Sequence, residues 1–65
     1  MELWSPSKGD RMLTCVARYL PHGVDVRLVE AEEVRRTQLT PDGPHAEALA
    51  LEWREKAAAA GWATR

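Results

Sequence analysis

The segment Pro41-Asp42-Gly43-Pro44 divides this sequence into two stretches of different hydrophobic period, and that division limits the fold more than any other feature. Upstream of it, Val24-Asp25-Val26-Arg27-Leu28 alternates apolar and polar residues with period two, the pattern of a half-buried strand. Downstream, residues 44–60 are rich in Ala, Leu, Glu, Arg and Lys, the strongest helix formers. There Ala46, Leu49, Ala50, Trp53, Ala57 and Ala60 recur by threes and fours along one stripe. Pro44 suits the first helical position, where its missing N–H costs nothing, and Gly43 or Asp42 serves as the N-cap. Gly61 fits the left-handed position just past the end, and Glu52 stands four residues before Lys56 in the favourable order. Strands followed by a single helix predict two layers.

The strands divide at turn residues. Arg11 to Leu20 reads as the first, with Val16 and Tyr19 supporting β structure, and Pro21-His22-Gly23 as a turn. Val24–Leu28 is the second strand, Glu30-Ala31-Glu32-Glu33 a polar connector, and residues 34–40 a third, weaker strand. The expected fold is therefore α+β, a three-stranded antiparallel β-meander packed on one C-terminal α-helix. Residues 1–10 form an arm with Leu3 and Trp4 as an apolar hook, residues 11–62 the domain, and residues 63–65 a tail.

Register follows from the turns. A two-residue His22-Gly23 loop and a four-residue Glu30–Glu33 loop align Tyr19–Val26–Thr37 and Ala17–Leu28–Arg35, with Val24 beside Leu39. Leu13, Cys15, Ala17, Tyr19, Val24, Val26, Leu28 and Leu39 then share the face that meets the helix. A bulged turn at Gly23 is the rival; it pairs Leu20 with Val24 and turns Arg18 towards the core. The first register is preferred because it leaves Arg18 outside.

In that register Arg18, Arg27 and Arg36 line up on the outer face, and Arg35, next in sequence to Arg36, is expected to assist them. Like charges directly opposite one another repel, so such a row invites an anion, and arginine forks suit phosphate. A three-stranded sheet can lie in a DNA groove. The competing reading is a solvated row neutralised by Asp25, Glu30, Glu32 and Glu33. The net charge of −1 is not the footprint of a DNA-binding domain.

The same face carries Val16, Val29 and Val34, with Met12 and Leu20 nearby, more apolar surface than a solvent face ordinarily holds. Leu51 points away from the Trp53 stripe; with Trp4 and Trp62 it completes a set of interface candidates. Supply of core residues argues the same way. Of 65 residues 45% are hydrophobic, but ten of these are alanine, and a single cysteine forms no internal disulfide. A monomer this small is marginal without a staple, so a homo-oligomer (a dimer) or a protein partner is expected.

Catalytic patterns are not evident. His22 reads as a turn residue, His45 as a residue of the first helical turn, and Cys15 as a small buried hydrophobe. No metal-ligand spacing, phosphate loop, cofactor motif or small-molecule pocket is expected, and the chain is read as no enzyme. No run approaches the length of a membrane span, and the first residues lack the pattern of a secretory signal. One free cysteine suits a reducing compartment, so a cytoplasmic location is the expectation.

Gly23-Val-Asp-Val-Arg-Leu, residues 34–39, Glu52-Trp53-Arg54 and the terminal Gly61-Trp62 together resemble small uncharacterised bacterial proteins that run strand, strand, strand, helix and end in Gly-Trp. The resemblance covers residues 11–62 and implies no transferable activity. A sequence with ten Ala and seven Arg but no Asn, Ile or Phe also suggests a GC-rich coding genome. The topology is similar to three-stranded-sheet-plus-helix DNA-binding modules of the plant AP2 type and of integrase arm-binding domains. Those read DNA with Arg and aromatic residues on the exposed sheet, where this chain has arginines and valines. Two expectations result: an interaction module using the outer face and the Trp-bearing arm, or, alternatively, a nucleic-acid-binding module using Arg18, Arg27, Arg35 and Arg36.

Overall fold

Strand pairing extends further than the three expected strands, because the arm pairs as well. The computed structural model describes residues 1–63 and places β1 at Glu2–Trp4, β2 at Ser7–Lys8, β3 at Arg11–Leu20, β4 at Gly23–Glu30, β5 at Glu33–Thr40 and α1 at Gly43–Ala59. The fold is α+β: an antiparallel sheet in the order β1-β3-β4-β5, with β2 also paired to β3, and one C-terminal helix. Counting β1 and β2 separately gives five strands in place of three.

The arm is thus a broken edge strand. Glu2 pairs with Val16 and Trp4 with Cys15; after the break, Ser7 pairs with Met12 and Lys8 with Arg11. Pro6 sits at the break, where its missing N–H cannot continue the ladder. Its side chain is fully buried, and its carbonyl accepts from the Leu13 N–H at 3.0 Å. The tail is tied in too: Ser7 and Ala63 exchange backbone hydrogen bonds of 2.9 and 2.7 Å. The rest of the expected tail, residues 64 and 65, lies outside the described residues.

Both expected registers are corrected. In the β3–β4 hairpin Leu20 pairs with Gly23, so the loop is Pro21-His22 and the rows are Cys15–Leu28, Ala17–Val26 and Tyr19–Val24. The slip from the preferred register is two residues, so the same residues of β3 face the helix and Arg18 stays outside, as expected. The rival Leu20–Val24 pairing does not occur.

The β4–β5 hairpin departs by one residue, and that matters more. Glu30 pairs with Glu33 and Val29 with Val34, but Leu28 then pairs with Arg36, leaving Arg35 as the extra residue of a β-bulge. The bulge reverses the facing of the rest of β5. Arg36, Gln38 and Thr40 share the helix side with Leu28, Val26 and Val24, whereas Thr37 and Leu39 face outward beside Arg27 and Asp25. Leu39, expected in the core, is 53% exposed, and Thr40 is buried in its place, donating its hydroxyl to the Val24 carbonyl at 2.8 Å.

The two-residue loop closing this hairpin, Ala31-Glu32, has φ of 51° and 67°. Consecutive positive φ values are those of a type I′ turn, which Asn-Gly favours and other residues adopt at a cost of about 1 kcal/mol each. Changing Ala31-Glu32 to Asn-Gly is expected to stabilise the fold by about 1–2 kcal/mol and to raise its thermal midpoint by several degrees. A circular-dichroism melt with an unchanged or lower midpoint would contradict this turn.

The helix ends as its sequence predicts. Asp42 is the N-cap and accepts from the His45 N–H at 2.9 Å. At the other end Gly61 has φ of 96°, its N–H donates to the Ala58 carbonyl, and the Trp62 N–H reaches Ala57. This is the paired 5→2 and 6→1 geometry of a Schellman cap. Lys8 donates to the Ala60 carbonyl at 2.9 Å, a cation where the helix dipole is negative.

The helix buries Ala46, Ala50, Trp53 and Ala57, four residues of the expected stripe, while Leu49 is half-buried and Ala60 exposed. They pack on Cys15, Ala17, Val24 and Val26, with Leu3, Trp4, Leu28 and Leu49 at the margin. Tyr19 is 60% exposed although its position along β3 puts it on the helix side. Alanines let the helix approach the sheet closely, and Trp53 is the largest of the buried side chains between the layers.

Candidate functional site

The outer face of the sheet is built by β3, β4 and β5 together. From β3 come Met12, Thr14, Val16, Arg18 and Leu20; from β4 Asp25, Arg27 and Val29; from β5 Val34, Thr37 and Leu39. Its rows run Thr14–Val29–Val34, Val16–Arg27–Thr37 and Arg18–Asp25–Leu39. Met12, Val34 and Leu39 are exposed; Val16, Leu20 and Val29 are half-buried. Among the described residues no helix or strand packs on this face.

Its central charges are already satisfied from within. Arg27 Nε donates to Asp25 Oδ2 at 2.7 Å, and the Thr37 hydroxyl donates to Asp25 Oδ1 at 2.9 Å. The hydrogen bond from Arg27, then that from Thr37, holds the Asp25 carboxyl below its ordinary range, and the charge of Arg18 adds to this. Asp25 therefore stays ionised in the midst of the face, and Arg27 is committed to it.

The expected arginine row does not form. Arg18 and Arg27 share the outer face, but Arg36 lies on the helix side, its guanidinium 5.2 Å from the centre of the Trp53 ring. Such stacking is a cation–π contact that shields the edge of the core. Arg35, at the bulge, reaches Glu30 at 3.6 Å and Glu33 at 3.8 Å. The four arginines are thus spread over two faces and a bulge, three of them beside a carboxylate or an aromatic ring.

Of the eight interface candidates the structure brings five together: Met12, Val16, Leu20, Val29 and Val34. Trp4 is not among them. It packs against the core on the helix side, with its indole Nε1–H donating to the Ala50 carbonyl at 3.1 Å. Trp62 lies under Arg11, 5.0 Å from ring centre to guanidinium, and Arg11 in turn grips Glu30 through two hydrogen bonds of 2.7 and 2.9 Å. Leu51 is exposed on the helix, lining a shallow groove of about 200 Å³ with Leu3, Trp4, Glu47, Ala50 and Arg54. Leu39 is the residue that sequence reasoning missed on the outer face. Only the bulge at Arg35 puts it there, and nothing in the local sequence marks a bulge.

The residues considered for catalysis lie apart by role. Cys15 is fully buried, and burial pushes its thiol up to about 11, away from thiolate chemistry. His22 lies in the β3–β4 turn. His45 Nδ1 meets the N-cap carboxylate of Asp42 at 2.6 Å, and the backbone and side-chain hydrogen bonds from His45 hold that carboxyl below its ordinary range. No group of three His, Cys, Asp or Glu side chains is placed to hold a metal among the described residues, and no described helix is long and apolar enough to cross a membrane.

Comparison with family models, with curated proteins and with solved structures finds no match.

Proposed function

We propose that this chain is a small non-enzymatic interaction module that self-associates through its outer sheet face. The observation that carries this reading is the asymmetry of the sheet. One side is covered by α1, while the other presents Met12, Val16, Leu20, Val29, Val34 and Leu39 with no described element over them.

A second copy is the occupant that the dimensions favour. Counting the broken arm strand beside β3, β4 and β5, four strands of about eight residues, spaced about 4.8 Å with about 3.3 Å per residue, make a face of about 500 Å². Two such faces packed together remove about 1,000 Å² from water, the lower bound of a specific interface. Charge is nearly balanced: Arg27 and Asp25 neutralise each other within the face, and Arg18, beside Asp25, is the one further charge that β3, β4 and β5 place there outside the bulge. The Trp4 indole is turned to the helix, and Trp4 meets this surface only at its margin, where it lines a hollow with Met12. Nucleic-acid binding loses its support with the arginine row, because Arg36 and Arg35 are engaged elsewhere.

Val29, beside Val34 at the apolar end of the face, is the residue to change. Val29→Glu buries a charge twice across a two-fold interface, and association is expected to weaken about 100-fold or more. Sedimentation velocity at tens of micromolar reads the outcome. A smaller species for Val29→Glu than for the wild type, with unchanged circular dichroism, supports the proposal; equal masses, or a wild type that is already a monomer, overturn it.

A further inference from the structure

We infer that β5 is a second association edge, independent of the outer face, and that its occupant is β5 of another copy, antiparallel about a two-fold axis at Thr37. The two edges of this sheet are treated differently by the chain. The β3 edge is covered by β1 and β2 from Arg11 to Val16, and Met1 bonds to Ala17, so only its last residues, Arg18 to Leu20, lie beyond the arm. The β5 edge has no neighbour among the described residues, and seven of its eight residues are exposed. The helix lies chiefly over β4 and leaves Arg36 and Gln38 exposed on its own side of the sheet. A strand this long offers a row of backbone donors and acceptors to another strand.

Side-chain register selects the partner. Two copies joined edge to edge keep their faces continuous only when same-facing residues oppose each other. Three centres are possible within the regular part of β5. A centre at Arg36 sets two arginines directly opposite, which is repulsive. A centre at Gln38 pairs only residues 36–40 and leaves Val34 without a partner. A centre at Thr37 opposes Thr37 to itself and Arg36 to Gln38. The bulge at Arg35 then presents Val34, an outward-facing residue, to Leu39 of the other copy. Val34 and Leu39 are 48% and 53% exposed, and this register covers both. It sets no like charges opposite along residues 34–40, whereas the arginines and the bulge discourage other strands. The same pairing joins the outer faces of two copies into one wider surface, so edge pairing and face pairing can coexist.

The test uses the full chain. Opposed residues in an antiparallel pair have Cα atoms about 4.5–5.5 Å apart, within the range a disulfide spans. Thr37→Cys is expected to give a covalent dimer under mild oxidation, while Leu51→Cys, exposed on the helix, gives none; the native Cys15 is buried and does not interfere. Gln38→Glu places a carboxylate opposite Arg36 twice, and Gln38→Arg places a like charge there twice. Their dissociation constants are expected to differ about tenfold, with the wild type between them. Combining Thr37→Cys with Val29→Glu separates the two surfaces, because the covalent dimer persists when face packing is lost. Absence of the Thr37→Cys dimer, equal affinities for the two Gln38 variants, or loss of the cross-link on adding Val29→Glu would each overturn the inference. Failure of Val29→Glu alone to change the mass overturns the face and leaves the edge standing.

Discussion

Trp53→Ala is expected to abolish the folded domain at moderate temperature. Trp53 is 3% exposed and is the one aromatic residue inside the core cluster; its buried companions on the helix are Ala46, Ala50 and Ala57. Small residues cannot collapse into the space a tryptophan leaves, so the cavity persists and the loss is about 3–5 kcal/mol. Total stability for a chain this size is of order 3–10 kcal/mol, at about 0.05–0.15 kcal/mol per residue. The deletion therefore removes a large share of it, and the thermal midpoint should fall by about 15 °C or more where any transition survives. Arg36 would also lose the ring it lies against. Trp62→Ala is the comparison. That ring is half-buried beyond the helix cap and is held mainly by Arg11, so its loss should cost about 1 kcal/mol. Urea titration followed by circular dichroism distinguishes them, and equal losses would mean that the helix presents a different stripe to the sheet.

Features that depend on local chemistry were legible in the sequence. Asp42, Gly61 and the alanine–tryptophan stripe each act through neighbours within a turn or two, and the helix forms where they direct it. The facing of β3 was legible as well, because keeping Arg18 out of the core turns Leu13, Cys15 and Ala17 inward together. Hairpin registers were not. A slip of two residues returns every side chain to its original face, so the error at Pro21-His22-Gly23 left Arg18 and Cys15 correctly sided. A slip of one reverses the face, and the bulge at Arg35 did this to Arg36, Gln38, Leu39 and Thr40. Ala31-Glu32 concealed the turn, since neither residue advertises positive φ. The arm was left out of the expected sheet because residues 5–10 group turn and breaker residues, yet Pro6 only interrupts a strand that pairs on both sides of it. Those two errors moved the candidate site: the arginine row dissolved, Trp4 passed to the core, and Leu39 joined the apolar face.

Gly23→Ala should be the most damaging single-methyl change in the sheet, and it tests the hairpin register directly. A Cβ at Gly23 would collide with the Thr40 carbonyl oxygen and stand 3.3 Å from Leu39 Cδ1. The leucine can swing aside, but the carbonyl cannot. Thr40 is fixed by its own hydroxyl, which donates to the Val24 carbonyl at 2.8 Å, and by the N-cap Asp42 two residues on. Either β4 and β5 separate at this end or the helix start shifts, and overpacking of this kind costs about 1–3 kcal/mol before the strained φ of 157° is added. Gly43→Ala supplies the control, because nothing lies within 4 Å of a Cβ there and Gly43 opens the helix. That variant should be neutral or stabilising by up to about 1 kcal/mol. The two substitutions add the same methyl group and differ only in what it meets. If Gly23→Ala unfolds in urea within about 0.5 kcal/mol of the wild type, Gly23 belongs to the turn and not to β4, and the outer face must be redrawn from that hairpin onward.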